Sequence, residues 1–501
     1  MPESGLGVYK QSIEGGKWII VSNITQKFLS LITFFILARL LNPQDYGVIA
    51  IVFLISGFFL TVSSFDFEKA LMQQASEAEE KACLDTIWTF NFIKSSVLSV
   101  VVFFLAPFLA SFFNISEQTE IIRWGALFIF LPCLGNSRQY YFFKNIDFKK
   151  VFFRDNVGQL FYIFTTFFWI FFVSQSVWAL LAGHIARYLA SVVMTYVLHP
   201  YKQAPGFHFA KLKGLFGYAK WVTGQNILDN ILGMIDSLYI GRLLGPYRLG
   251  LYSKAKEISF MPVSPLFAIF DKVGFAAYAK LQDKLEKIQD GFIKTFDVVT
   301  AITLPVFFLL LAEGGLIIQL ALGQKWLGIV EPLKIFAAVA IFSSLVVISR
   351  PVFDALGHPK INFKANILQL ISSIILIYFG AKYGGVNGVA FAMLFSWIII
   401  SVFVIFKARP ILKLGWNKFH GSVFSVGISV LAVLSVCAPL YFLNWLVWNS
   451  TVFSVTLVFF SGLIYIICLW LTGRLFAHSP WHTFLSIFRE IRKNKQDKVI
   501  S

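Results

Sequence analysis

A chain of 501 residues that is 57% hydrophobic and 14% charged, with mean hydropathy +0.73, has too little polar surface for a water-soluble globule, where about 45–50% apolar and 25% charged is usual. The surplus faces lipid. Lys and Arg exceed Asp and Glu by 17, but these cations sit in small clusters between apolar runs, a pattern of membrane topology and not of a nucleic-acid surface.

The first seventeen residues hold Glu3 and Glu14, and the apolar run behind them is long and lacks a small-residue cleavage site. An uncleaved first span is expected, not a signal peptide. A crossing helix needs about 20 mainly apolar residues, since its backbone polar groups must be satisfied within the segment. Fourteen segments qualify: 18–38, 46–65, 86–106, 121–140, 156–174, 178–198, 221–241, 250–270, 295–312, 329–349, 363–380, 386–406, 420–442 and 452–472. The eighth is the most polar, with Lys254, Lys256 and Glu257. Cys133, Cys437 and Cys468 lie in apolar runs and Cys83 stands alone, so there is no disulfide framework or CxxC metal pair.

The connections alternate in charge. One side, with both termini, carries 31 Lys and Arg; the other carries Arg39, Arg242, Arg248, Lys325 and Lys382. The positive-inside rule places both termini in the cytoplasm. The chain also repeats itself. Residues 16–49 and 219–252 align at an offset of 203 with eleven identities: Lys17/Lys220, Trp18/Trp221, Asn23/Asn226, Ile24/Ile227, Leu29/Leu232, Ile32/Ile235, Arg39/Arg242, Leu40/Leu243, Leu41/Leu244, Pro43/Pro246 and Gly47/Gly250. Composition explains shared Leu and Ile but not a shared Arg-Leu-Leu-x-Pro-x-x-x-Gly turn, so the halves arose by duplication. A weaker echo pairs Asn156, Gln159 and Leu160 with Asn366, Gln369 and Leu370.

Six spans separate the copies, so they cross in the same direction and are related by a pseudo-twofold axis along the membrane normal, with a substrate path expected at their interface. The expected architecture is an all-α integral membrane protein of 14 transmembrane helices. It comprises a six-helix repeat (1–198), a cytoplasmic linker (199–220), a second six-helix repeat (221–406), an appended helix pair (407–472) and a basic cytoplasmic tail (473–501).

Four stretches carry a family resemblance: LARLLNPQDYGVIAI (37–51), FDFEKALMQQ (65–74), IDSLYIGRLLGPYRLGLYSKAKEI (235–258) and ALGHPKINFKANILQL (355–370). In their order along the spans they resemble the Wzx-type polysaccharide or oligosaccharide-lipid flippases of the multidrug/oligosaccharidyl-lipid/polysaccharide exporter superfamily, in the colanic-acid-exporter-like branch. The resemblance implies an undecaprenyl-pyrophosphate-linked repeat unit as cargo, moved to the outer leaflet of a bacterial inner membrane by alternating access. Its implied partners are the lipid-linked oligosaccharide, membrane lipids, a polysaccharide polymerase and a chain-length regulator. The Gln26-Lys27 pair is no hallmark of that family and is read physically.

A charge at mid-membrane costs about 2.5–3.5 kcal/mol on insertion scales and so faces a wet cavity or a partner. Lys27 lies in the first span, and Asp229 and Asn230 are the repeat counterparts of Gln26 and Lys27. Lys27 and Asp229 either line a cavity and receive an anionic substrate or neutralise each other. Asp236 titrates during transport, caps a neighbouring helix or pairs with Arg242. His184 and Arg187, three apart in the sixth span, share a face; the guanidinium suits a pyrophosphate or acidic sugar, or else a carboxylate within the bundle. Lys254 pairs with Glu257 or lines the cavity. Lys94 and Arg123 snorkel toward headgroups, and Asp297 is expected at the start of the ninth span, facing the helix dipole. Arg39 and Arg242 end their spans, and Asn42-Pro43 starts the next helix, so the repeated motif reads as a tight hairpin. In the tail, Phe484, Leu485, Phe488 and Ile491 form an apolar stripe opposite basic residues, suited to anionic lipid or to a solvated helix.

No GxxxxGK[ST], GxSxG or HExxH occurs, and nothing calls for a metal or cofactor. An enzyme acting on lipid-linked sugars would need longer outer loops. The alternatives are a multidrug exporter, a lipid-linked peptidoglycan precursor flippase, or a non-transporting scaffold for glycan assembly. Seven interior cations against roughly five acids favour an anionic cargo. Reporter fusions at residues 1 and 501 are expected to be active only in their cytoplasmic form; an externally active fusion at either end overturns the orientation.

Overall fold

In the computed structural model, residues 5–63, 71, 77–199, 201, 204–281, 284–413, 415, 424, 426–433, 435, 451–473, 480–483 and 485 are described, and every regular element among them is a helix. Most of the expected span 420–442, the 65–74 stretch and the tail stripe from Phe484 to Ile491 lie outside the described residues. Two compact units divide the chain, Met1–Ser253 and Lys254–Ser501. Seven described helical stretches are long and apolar enough to cross a membrane.

The first unit opens with a hairpin of α1 (Gly5–Leu40) and α2 (Pro43–Val62). Pro43 takes the first helical position, where no amide is needed, and Asp45 Oδ2 accepts the Asn42 amide at 2.9 Å. At its other end α1 lies on α7 (Phe148–Phe172), with Trp18 packed on Phe152 at 5.2 Å and Lys149 over the indole at 5.8 Å. Next in the chain comes α3 (Glu77–Phe112), apolar through most of its length.

The expected fourth span, 121–140, is not one helix. It breaks into α4 (Thr119–Gly125), α5 (Leu127–Phe130), two 3₁₀ turns (Leu131–Leu134 and Ser137–Gln139) and α6 (Tyr140–Lys144). Apolar content alone predicts a continuous span, but Pro132 lacks an amide and Gly135 leaves the helical region with ψ at 149°. Irregular backbone survives at such depth only when protein groups satisfy it. Ser99 Oγ donates to Ala126 O at 2.9 Å, Tyr196 OH to Leu134 O at 2.9 Å, and the Asn136 amide to Thr195 Oγ1 at 2.9 Å. The unit continues with α8 (Val177–Leu198), which pairs closely with α7, then α9 (Phe209–Leu243) and α10 (Gly245–Phe260).

The two copies of the repeated turn touch. A Cβ on Gly47 would overlap the carbonyl of Pro246, and a Cβ on Gly250 would overlap that of Pro43. The Pro-x-x-x-Gly motif therefore makes a reciprocal backbone contact as well as a hairpin: each copy's glycine receives the other copy's proline. Gly57, one face along α2, meets Met234 of α9 and extends the seam.

The unit boundary falls inside α10. The expected eighth span, 250–270, is interrupted there, since α10 stops at Phe260 and α11 (Ser264–Lys280) restarts beyond Pro262. The second unit adds α12 (Leu285–Leu322), α13 (Val330–Ala355), α14 (Pro359–Leu412) and α15 (Thr451–Gly473). Because α12 begins in the polar stretch ahead of its apolar run, Asp297 is not at a helix start. It is buried in mid-helix and accepts Thr483 Oγ1 at 2.6 Å. The run α14 joins two expected spans through Gly385, at φ 56° and ψ −135°, a left-handed backbone that glycine adopts at little cost. Gly380 and Gly388 approach each other's carbonyls on either side of it.

The reciprocal contact is expected to be rigid, since backbone cannot swing aside. Gly47→Val or Gly250→Val should lower stability by about 3 kcal/mol through overpacking, while Gly233→Ala, with nothing within 4 Å of the new Cβ, should change it by about 1 kcal/mol or less. Thermal unfolding of the purified protein checks this; equal melting shifts for Gly47→Val and Gly233→Ala would refute the contact.

Candidate functional site

Two sequence candidates share the helix α8. The His184 ring is boxed by Tyr162 at 4.6 Å, Phe53 at 4.8 Å and Phe128 at 5.9 Å, which makes it a packed core element. Arg187 lies one turn on. Its stem is seated by Gly158, where a Cβ would sit 3.4 Å from Arg187 Cγ and 3.1 Å from Arg187 O. The guanidinium is half-buried and, among the described residues, makes no hydrogen bond or ion pair. A fixed fork of donors without a carboxylate is chemically ready for an oxyanion.

The acidic candidates fall into different settings. Asp236 is fully buried, and its Oδ2 accepts Tyr252 OH at 2.8 Å while Oδ1 accepts the Ser237 amide at 2.7 Å and hydroxyl at 3.2 Å. This carboxylate ties α9 to α10 beside the Gly250 contact. Arg242, one suggested partner of Asp236, donates to Asn114 Oδ1 at 3.3 Å and lies over the Phe112 ring at 5.0 Å. Lys254 pairs with Glu257 at 2.6 Å, as their spacing predicts. Lys27 on α1 and Asp229 on α9 are both half-buried in the first unit. The two cations expected to snorkel have local partners: Lys94 donates to Asn91 at 3.0 Å, and Arg123 pairs with Glu120.

The repeat echo also marks polar groups that residue-by-residue reading passes over. In the second unit Asn366 is buried and its Oδ1 accepts Arg350 Nη2 at 2.7 Å. In the first unit the matching Asn156 is buried, and its Oδ1 has no hydrogen-bond partner among the described residues. A Ser-Arg pair precedes each asparagine, Ser137-Arg138 and Ser349-Arg350. Arg138 instead binds Asp85 at 3.0 Å and stacks on Tyr201 at 4.1 Å. Asn136 Nδ2 donates to His199 O at 2.8 Å, and the Gly206 amide to Thr89 at 2.8 Å. These bonds fasten the start of the 199–220 linker to the first unit. The signal that finds these groups is the Ser-Arg dipeptide ahead of each Asn-x-x-Gln.

The polysaccharide biosynthesis protein family matches over residues 36–331, more than half of the sequence. The chain belongs to this family. Among its relatives, the lipopolysaccharide biosynthesis protein WzxC of Escherichia coli (strain K12) is 25% identical over 83% of this chain and 84% of its own. The teichuronic acid biosynthesis protein TuaB of Bacillus subtilis (strain 168) is 23% identical over 79% and 81%. The resemblance to Wzx-type flippases carried by the repeated turns is borne out. In fold, this family member is similar to the lipid II flippase MurJ in an inward closed conformation, with TM-score 0.71 at 15% identity over 91% of this chain and 98% of that one. It is also similar to an inward-facing multidrug MATE transporter, with TM-score 0.60 at 14% identity over 77% and 94%.

Asp236 and Tyr252 form a buried hydrogen bond. Tyr252→Phe is expected to destabilise this family member by about 1–3 kcal/mol, because the carboxylate loses a donor that water cannot replace. A double-mutant cycle with Asp236→Ala measures the coupling, and effects that add to within about 0.5 kcal/mol would refute it.

Proposed function

We propose that this protein is a transporter that flips an undecaprenyl-pyrophosphate-linked oligosaccharide repeat unit, a precursor of capsule, exopolysaccharide or O-antigen, from the cytoplasmic to the outer leaflet of a bacterial inner membrane. The observation that carries this reading is the coincidence of two independent likenesses over most of the chain: relatives named for polysaccharide biosynthesis, and the fold of a lipid-linked sugar flippase. Fourteen spans in two duplicated halves, with both termini cytoplasmic, are part of the proposal.

The chemistry of the first unit supports an anionic cargo. Arg187 offers a guanidinium to a pyrophosphate or acidic sugar, and the half-buried Lys27 adds a second cation. With Asp229 across the repeat, Lys27 has a resting partner when no substrate is present. Asp236 and Lys254 are held by Tyr252 and Glu257 and are left out of cargo binding in this reading. Alternating access requires the backbone contact of Gly47 with Pro246 and of Gly250 with Pro43 to part when the outer side opens. No chemical step on the sugar is required, so the protein is not an enzyme in this reading. The polymerase and chain-length regulator receive the flipped unit as partners.

A multidrug exporter is the rival cargo class, given the second fold likeness. A cationic drug favours an acidic cavity, which Arg187 without a carboxylate partner opposes.

Deleting the gene is expected to make a lipid-linked glycan accumulate on the inner leaflet. Arg187→Gln and Lys27→Ala should leave the protein in the membrane while lowering affinity for the pyrophosphate-linked cargo roughly tenfold to a hundredfold each, the loss of one charge-assisted bond of about 1.5–3 kcal/mol. Unchanged glycan display and flipping in both variants would refute their role. Failure of a Lys27→Asp with Asp229→Lys exchange to rescue either single change would refute the resting pair.

A further inference from the structure

A cavity of about 280 Å³ opens within the second unit, between α12, α13 and the end of α14. Its walls are mainly apolar, built from Phe292, Phe296, Leu345, Ile348 and Ile405, and Arg409 is part of the lining. Two wall hydroxyls are committed to their own helices: Ser344 Oγ donates to Ile341 O at 2.6 Å and Ser349 Oγ to Leu345 O at 2.7 Å. Thr300, Thr303 and Arg409 are the other polar groups of the lining, too few to pair the many hydroxyls of a sugar.

Packed interiors hold few voids larger than a water molecule, and an empty one forfeits dispersion contacts on every wall. Apolar cavities of about 150 Å³ stay dry and take a benzene ring. By that scale 280 Å³ takes roughly ten carbons, a length of hydrocarbon chain and not a solvent cluster.

Three helices contribute to the cavity near the same membrane face, the one where charge counting puts Lys287, Lys294, Lys407, Arg409 and Lys413. A chain buried here carries its polar head toward those cations, so its head is anionic. Sites in contact with the bilayer fill by mass action with the amphiphile present in excess.

We propose that this cavity is a binding site for a phospholipid of the cytoplasmic leaflet, with one acyl chain between α12, α13 and α14 and the phosphate toward Arg409. The lipid is a resident part of the second unit and not the cargo. The inference rests on the protein spanning a membrane but not on flipping, and its readout is lipid binding to purified protein, so it stands or falls apart from the transport reading.

The test uses the full chain in vesicles containing phosphatidylglycerol with a photoreactive acyl chain. Light-induced labels are expected on residues 292–304, 341–349 and 405–409. Labels confined to outward-facing residues such as Phe391 and Phe395, which are exposed, would overturn the proposal. After washing in detergent, the wild type is expected to retain phospholipid that Ala408→Phe and the milder Ser349→Leu lose by filling the space. Arg409→Gln should lower retention of phosphatidylglycerol roughly tenfold. Retention unchanged in all three variants, or retention of a polyprenyl phosphate in place of phospholipid, also overturns it. If the filled variants fail to fold, the labelling of the wild type decides.

Discussion

The structure depends on one reciprocal contact, in which Gly47 and Gly250 admit the carbonyls of Pro246 and Pro43. In lipid the hydrophobic effect does not press helices together, so close packing of small residues and polar contacts take its place. Proline starts each helix without needing an amide, and glycine a turn later removes the Cβ that would hold the backbones apart. The duplication makes the contact self-complementary. Asp236 and Tyr252 brace the same corner with a buried bond, and Asn114 holds the adjacent end of α9 through Arg242. This corner is thus held by short backbone contacts and buried polar bonds.

Satisfying backbone groups at membrane depth governs the remainder of the first unit. The segment from Thr119 to Lys144 survives as short pieces because Ser99, Tyr196 and Thr195 come from α3 and α8 to pair with it. Those three side chains lie 27 to 62 residues from their partners. The irregular stretch carries Asn136 and Arg138, which clamp the chain leaving α8, so the linker to the second repeat starts from a fixed point.

The two copies of the repeat differ in the partners of their polar groups. Arg350 reaches Asn366, whereas its counterpart Arg138 is drawn to Asp85 and Tyr201, leaving the Asn156 carbonyl without a described partner. Asp236 replaces Thr33 of the first copy and creates a bond with Tyr252 that the first copy does not have.

Membrane class and the internal repeat are legible in the linear chain, because each rests on composition or on residues at a constant offset. The hairpin chemistry of Asn42-Pro43 and the Lys254–Glu257 pair are legible for the same reason: they act over a few residues. The break in the fourth span, the burial of Asp236 and Asp297, the caging of His184 and the apolar chamber beside Arg409 are not. Each depends on which distant helix supplies a partner, as when Thr483 reaches Asp297 across 186 residues. An apolar window counts methylenes without knowing that Pro132 will interrupt its helix, and a charge in a span does not announce whether a tyrosine or a substrate will meet it. Tertiary packing alone makes that choice, because burying a polar group is tolerable only where a partner is already in place.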